Sequence, residues 1–438
     1  MDTMSRFFRR KKDKEKEMSL TKAQTDLIRG SVPLLREQGE TIARLFYGDM
    51  LTQRPDLKSV FNSANQQNGT QPRALASLVL AFAANVGDLS TLVPRLERVC
   101  QKHCSLGIHP DQYDIVGQYL LGAFAQVLGA DAWTTELHEA WAKAYTMLSK
   151  IFISREAQLY RQFGRWTGWR SLRISQKIAE GDDIFSFHLE PPTGTDKLPH
   201  FQPGQYVSVR VNVPSIGHLQ SRQYSLSDHP STQHYRISIK RDRGVHVGGG
   251  IEAFQLKPGL VSNLLIEGYN VGDMLEVSHP AGVFAFDAAV SSSTVPLVLI
   301  SAGSGVTPLM SILNTAVEEE RDATRPISWI QCSAGAAAFE DHVRGLAAAR
   351  PGLTTYFWQS RAADMDYRNG TARAQGMRLD LERLDPTLLH LEHGSTEYYI
   401  CGPETFIHDM SKTLITRGVS PNRVKYEWFG TGDREFKA

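Results

Sequence analysis

The chain has 438 residues, 41% of them apolar, and its 48 Lys and Arg balance 47 Asp and Glu to a formal net charge of +1. That length exceeds what a single core supports and predicts two or three domains, while intermixed charge of both signs leaves no basic stripe for a phosphate backbone, so no nucleic-acid partner is expected. Four scattered cysteines, Cys100, Cys104, Cys332 and Cys401, exclude a secreted disulfide framework and point to a reducing compartment, by default cytoplasmic.

Residues 1–17 mix Lys and Arg with Asp2, Asp13, Glu15 and Glu17 and lead into no apolar run, which predicts a disordered, solvated tail and no targeting peptide. No stretch has the length of apolar sequence a bilayer span needs, so no integral membrane segment is expected.

Residues 18–163 read as an all-α domain, with apolar residues at helical spacing and helix-end punctuation at Pro33, Gly39, Pro55, Pro72, Pro94, Gly107 and Pro110. A helix predicted from Leu92 to Leu106 carries Leu92, Leu96, Val99, Cys100, His103 and Leu106 in one row, so His103 lies inside an apolar stripe and needs a buried partner. A backbone carbonyl is the ordinary partner. Zinc held by His103, Cys100 and Cys104 is the other possibility, though no fourth ligand stands at a convincing spacing. A second helix, Trp141 to Tyr160, aligns Trp141, Tyr145, Leu148 and Phe152 with Glu156, whose carboxylate either snorkels to water or is buried for a reason. Gln71 precedes Leu75, Leu78, Phe82 and Val86, as a solvent-facing helix start would.

Residues 164–290 change to an alternating period and read as an antiparallel β-barrel, with strands at Leu172–Ser175, Ile184–Leu189, Tyr206–Val211 and Tyr235–Lys240. Between the last two lies Arg222-Gln223-Tyr224-Ser225-Leu226-Ser227, in which an arginine can fork onto a pyrophosphate, a tyrosine can lie beside a flat ring and a serine can hydrogen-bond its edge. The stretch could equally be an ordinary strand with Tyr224 and Leu226 buried. The segment Gly259-Leu260-Val261-Ser262-Asn263 offers backbone N–H groups at a helix start, a place for a phosphate. An extended loop from Arg243 to Pro258 with Gly248-Gly249-Gly250 matches no nucleotide motif and has no assigned role.

Residues 291–438 read as an α/β domain with a parallel sheet. The apolar run Val295–Ile300 turns at Gly303-Ser304-Gly305 into a helix from Leu309 to Ala316, which makes an anion site of the helix N-terminus. Strands at Ile327–Gln331, Leu353–Trp358 and Glu397–Ile400 extend the sheet.

The motifs together carry a resemblance. Phe46-Tyr47, Phe61-Asn62, Asn65-Gln66-Gln67-Asn68-Gly69 with Gln71-Pro72, Gln101-Lys102-His103-Cys104 and Tyr113-Asp114-Ile115-Val116-Gly117 are similar to the globin domain of flavohaemoglobins. The resemblance implies haem b, with His103 as proximal ligand of the iron, Tyr113 and Glu156 as the relay behind it, Tyr47 and Gln71 on the distal side and Phe61 packed on the porphyrin. Pro203-Gly204-Gln205-Tyr206, Arg222 to Ser227 and Gly259 to Asn263 resemble, in order, the FAD domain of the ferredoxin-reductase family, which implies flavin contacts from Tyr206, Arg222, Gln223, Tyr224, Ser225 and Ser262. The last segment is similar to that family's nicotinamide domain and implies Gly303, Gly305, Val306, Thr307, Pro308, Cys401 and Pro403 around NAD(P)H, with Phe429 over the flavin or, alternatively, in the C-terminal core. Thr431 departs from the proline that family members often carry after Phe-Gly. Lys102 and Glu427 look like the family's charged pair, or are ordinary surface charges.

In such a family electrons pass from NAD(P)H through FAD to haem, and NO and O₂ are converted to nitrate. The resemblance therefore implies a nitric oxide dioxygenase. Its rivals are a haem-based O₂ or NO sensor and an NAD(P)H-dependent flavin reductase of quinones or peroxides.

Overall fold

The structure, a computed structural model, describes residues 19–61, 66, 68–164, 166–193, 196–247, 254–256, 258–287, 294–319, 325–359 and 379–430. The expected tail, Asn62, Asn65 and Gln67, Gly248-Gly249-Gly250 and Thr431 lie outside these residues. Packing divides the chain into two compact units, one built mainly from residues up to Gly168, the other mainly from Trp169 to Gly430.

The first unit is helical, as the periodicity predicts. Helix α1 (Lys22–Gly30) opens with a capping box in which Thr21 and Gln24 satisfy each other's backbone N–H. Then follow α2 (Val32–Gln53), α3 (Thr70–Asn85), α4 (Val93–Leu106), α5 (Asp111–Ala132) and α6 (Thr135–Gln162). Pro33 and Pro94 occupy the first turns of α2 and α4, where a missing N–H costs nothing. Gly107 ends α4 in the left-handed conformation. Gly39 departs from its expected place at a helix end. It lies buried inside α2, facing α3, where a Cβ would stand 3.5 Å from Ala76 Cβ, an ordinary contact.

The second unit holds two sheets. The antiparallel one has the order β4-β3-β8-β1-β2-β5, from β1 (Arg170–Ala179), β2 (Ile184–Glu190), β3 (Tyr206–Val213), β4 (His218–Ser225), β5 (Tyr235–Lys240) and β8 (Met274–Val277). Strand β1 runs past its expected end at Ser175 because its pairing to β2 shifts register between Ile174 and Gln176 and then continues. Part of the expected Arg243–Pro258 loop is a hairpin of β6 (Val245–Val247) and β7 (Phe254–Leu256). Helix α7 (Leu260–Gly268) follows.

The other sheet is parallel, of order β11-β10-β9-β12-β13, from β9 (Leu297–Ala302), β10 (Ile327–Ser333), β11 (Leu353–Gln359), β12 (Glu397–Cys401) and β13 (Val424–Glu427). Every residue of β9 is buried, the mark of a central strand covered on both faces. Helices α8 (Val306–Glu319), α9 (Glu340–Ala349) and α10 (Glu404–Thr416) connect the strands. Helix α8 begins three residues before the expected Leu309, because Gly303–Gly305 forms one 3₁₀ turn that feeds it directly. Phe284 and Phe286, which follow the antiparallel sheet, share a core with Leu299 and Tyr399 of the parallel one; Phe284 and Tyr399 meet edge to face at 5.6 Å.

The turn before α8 is packed against backbone. A Cβ on Gly305 would lie 2.0 Å from the carbonyl oxygen of Cys401, a contact no rotamer relieves. Gly305→Ala is therefore expected to destabilise the second unit by about 3 kcal/mol, at the upper end of overpacking costs, read as an earlier thermal transition of that unit by calorimetry.

Candidate functional site

Three elements of the first unit converge on one carboxylate oxygen. Helix α4 supplies His103, α5 supplies Tyr113 in its first turn, and α6 supplies Glu156, which is only 3% exposed. The Tyr113 hydroxyl donates to Glu156 Oε1 at 2.5 Å, and His103 Nδ1 lies 2.8 Å from the same oxygen and 2.9 Å from the phenol. Burial, reinforced by the Glu156 charge, pushes the Tyr113 phenol up, so it stays a donor at any working pH. The shared Oε1 serves as the acceptor for both groups, which assigns a proton to Nδ1 and leaves the imidazole lone pair on Nε2. This places Glu156 in a buried hydrogen-bonded role and His103 on a carboxylate; the backbone-carbonyl and snorkelling alternatives do not describe these residues.

Neighbouring contacts fix the geometry. Arg155, one residue before Glu156, makes a two-pronged ion pair with Glu97 of α4, at 2.7 and 2.9 Å, which locks the register of α6 on α4. Phe152 packs 5.8 Å from the His103 ring and 6.1 Å from the Tyr113 ring. Tyr145 Oη donates to the Tyr113 carbonyl at 2.5 Å, and its ring lies where a Cβ on Gly117 would stand 2.5 Å from it. Sequence reasoning treated Tyr145 as part of an apolar row; the signal available was Gly117, at the end of the Tyr113–Gly117 motif.

Tyr47 on α2 forms the second cluster. Its hydroxyl hydrogen-bonds Gln71, which is half-buried in the first turn of α3 and so is not the solvent-facing residue its position also allowed. Burial pushes the Tyr47 phenol up. Phe46 and Phe61 flank its ring at 4.6 and 5.4 Å.

Among the described residues no three His, Cys, Asp or Glu side chains converge as a metal-binding group. Cys100 and Cys104 are instead core filler, 2% and 1% exposed; burial pushes the Cys100 thiol up to about 12 and the Cys104 thiol higher still. The donor set that remains is a single imidazole with a carboxylate-bound Nδ1, an arrangement whose Nε2 would suit a haem iron. Phe61, Leu75, Leu78, Val79 and Val99 in the same unit are apolar yet only partly buried, as suits walls against a flat apolar ring.

In the second unit, Arg222 to Ser225 end β4. Arg222 and Tyr224, two residues apart, share one face. Burial pushes the guanidinium down and the phenol up, so an anion placed beside Arg222 would be favoured. Arg222 Nη1 donates to the Ser221 carbonyl at 2.8 Å, exposed Gln223 donates to Ser208 Oγ at 3.3 Å, and Ser225 is buried. Leu226 is buried as the ordinary-strand reading expects, whereas Tyr224 is only half-buried. Tyr206 opens β3 with its ring against Gly282, whose φ of 120° and closeness to the ring, 3.1 Å from a would-be Cβ, both require glycine. Ser262 lies in the first turn of α7, which has neither an acidic residue nor a side-chain cap there, so its N–H groups suit an anion.

The turn Gly303–Gly305 leads into Val306, Thr307 and Pro308 of α8, whose first turn also lacks an acidic residue. Ser301, at the end of β9, has a buried hydroxyl with no partner among the described residues. Cys401 ends β12 fully buried between β9 and β13; burial holds its thiol well up, and Glu427 of β13, its register partner, adds to this, so it stays a neutral group. Pro403 caps α10. Phe429 is 51% exposed, which rules out its reading as a core aromatic. Lys102 belongs to the first unit and Glu427 to the second.

Removing the shared acceptor leaves the buried Tyr113 hydroxyl and the half-buried His103 Nδ1 without it. Glu156→Ala is expected to cost the first unit about 3 kcal/mol, against about 1 kcal/mol for Tyr113→Phe, read from the thermal transition at 222 nm of protein prepared without haem, in which loss of iron ligation plays no part.

Comparison with known proteins agrees with this geometry. Residues 44–152 match the Globin family model, and residues 299–412 match the Oxidoreductase NAD-binding domain model. The Flavohemoprotein of Bordetella parapertussis is 40% identical over 93% of this chain and 97% of its own length, and that of Rhizobium meliloti is 37% identical over 94% and 98%. The crystal structure of flavohemoglobin from Malassezia yamatoensis, with bound FAD and heme, superposes with a TM-score of 0.78 at 29% identity over 94% of this chain and 100% of that one. A globin with a carboxylate-bound histidine, followed by a barrel and an NAD-binding parallel sheet, in a chain alike from end to end to such relatives: the chain belongs to the flavohaemoprotein family.

Proposed function

We propose that this NAD(P)H-dependent oxidoreductase is a nitric oxide dioxygenase, converting NO and O₂ to nitrate. The observation that carries the reading is the His103–Glu156–Tyr113 cluster: one imidazole, its Nδ1 held 2.8 Å from an oxygen of a buried carboxylate, its Nε2 left for iron. Haem, FAD and NAD(P)H supply the hydride and single-electron chemistry that side chains cannot.

The roles of the chain's own residues follow. His103 binds iron through Nε2, and Glu156, with Tyr113 donating to the same oxygen, fixes the tautomer and strengthens donation from the ring. Tyr47, kept protonated by burial and aligned by Gln71, donates a hydrogen bond to the oxygen substrate as negative charge develops on it. Phe61 packs on the porphyrin. Arg222 would hold the flavin pyrophosphate together with Ser262, Tyr206, Tyr224, Ser225 and Gln223 would hold the flavin, and Phe429 would serve the side on which the nicotinamide enters. Gly303, Gly305, Val306, Thr307 and Pro308 receive the dinucleotide phosphates at the start of α8, with Cys401 and Pro403 lining the nicotinamide end.

NADH oxidation by the holoprotein is expected to accelerate sharply only when NO and O₂ are both present, with nitrate formed in step; equal rates without NO would turn the assignment toward a reductase of quinones or peroxides. His103→Ala is expected to lose the haem Soret band while NADH still bleaches the flavin. An unchanged haem spectrum would remove His103 as the ligand.

A further inference from the structure

Directly after the flavin stretch stands Asp228, a carboxylate that the reading above leaves without a role. Its side chain is 17% exposed. Oδ1 accepts from Asn314 Nδ2 at 2.7 Å and from the His229 N–H at 2.9 Å, while its backbone carbonyl accepts from Ser311 Oγ at 2.6 Å. Ser311 and Asn314 lie on α8, the helix that starts at the dinucleotide turn. The hydrogen-bond chain continues, since Asn314 Oδ1 is 2.8 Å from His342 Nε2 on α9.

On the other side of the carboxylate is Arg236 of β5, 3.6 Å from Oδ2 with only 10% of its side chain exposed. The same guanidinium donates to the Ser227 carbonyl and lies 5.3 Å over the Phe339 ring at the start of α9. His234 Nε2 stands 4.0 Å from Oδ2 and stacks on His188. Burial alone would raise the Asp228 pKa; His234, Arg236, Asn314 and the His229 amide reverse this and hold it well below the usual carboxylate range. The group is thus a half-buried anion satisfied by donors from the antiparallel sheet and from helix α8, which follows β9.

We propose that Asp228 is a positioning residue for hydride transfer: bonded to α8 through both its carboxylate and its carbonyl, it clamps the dinucleotide helix to the end of the flavin strand and sets the approach of nicotinamide to flavin. That step moves two electrons and one hydrogen from the dinucleotide, which is oxidised, to the flavin, which is reduced. The chemistry is sensitive to placement, since a 1 Å error at the reacting atoms can cost about 100-fold. Apolar contact between Phe284 and Tyr399 holds the two sheets together but has no directional preference; the hydrogen bonds of Asp228 do.

The proposal rests on the flavin and dinucleotide assignments above but not on the gas chemistry, and its test is separate from the NO assay. With haem- and FAD-loaded full chain, mixed anaerobically with saturating NADH, Asp228→Ala and Asn314→Ala are each expected to slow flavin bleaching at least about tenfold. Dithionite, which needs no docking, should reduce both at the wild-type rate. Asp228→Asn keeps an acceptor oxygen for Asn314 and should return to within about threefold of wild type, and the double alanine variant should be no slower than either single one, because the two residues act as a unit. Without NADH, amide exchange over residues 306–319 should rise in both alanine variants. Wild-type bleaching rates with unchanged exchange would overturn the proposal, as would a loss that dithionite shares or losses that multiply in the double variant. Failure of the wild type to consume NO, with these effects intact, would overturn the dioxygenase reading alone.

Discussion

A carboxylate taken out of water must be given donors, and each unit of this protein is arranged around one that is. In the first unit Glu156 Oε1 receives Tyr113 Oη and His103 Nδ1, which draws three helices to a point and decides the tautomer of the histidine. Nothing about His103 alone chooses which nitrogen keeps its proton. In the second unit the Asp228 carboxylate does comparable work between the antiparallel sheet and helix α8, gathering an amide, an arginine and a neighbouring histidine while its backbone carbonyl takes the Ser311 hydroxyl. Leaving either carboxylate without its donors would cost several kcal/mol, which is why these contacts specify geometry where apolar packing does not.

The second constraint is steric. The dinucleotide turn lies against the end of β12 so closely that only Gly305 fits beside Cys401 O, and the ring of Tyr206 lies against Gly282 in the same manner. Both glycines are placed where backbone or ring must come near a neighbour, and both adjoin the residues assigned to FAD and NAD(P)H. The helices starting at Val306 and Leu260 carry no acidic residue in their own first turns, although Asp242 approaches the second of them at Gly259. On the proposed reading, anion recognition in this unit would draw on backbone N–H groups as well as on Arg222.

Much of this was legible in the sequence. Helical, alternating and continuous apolar patterns mark the three kinds of secondary structure in the right order, because each period reflects a local geometry that does not depend on distant residues. The motifs around His103, Arg222 and Gly303 are short for the same reason. What misled was punctuation: Gly39 looks like a helix end and lies buried inside α2, because a glycine is also tolerated within a helix that packing holds, and its neighbour there, Ala76, is far along the chain. Gln71 and Phe429 show the same limit in opposite directions, the one half-buried where exposure was equally reasonable, the other exposed where a core place was.

By itself, then, the sequence determined the order of the elements, the glycine turns and the candidate ligands, since these follow from side-chain chemistry and spacing along one strand or helix. Only the tertiary structure decided which partner each buried polar group has: that Glu156, 53 residues from His103, shares an oxygen with Tyr113, and that Asp228 reaches 86 residues on to Asn314. Such pairings are set by how helices and sheets pack, and a hydrogen bond formed at 2.7 Å across packed elements leaves no periodic trace in either segment it joins.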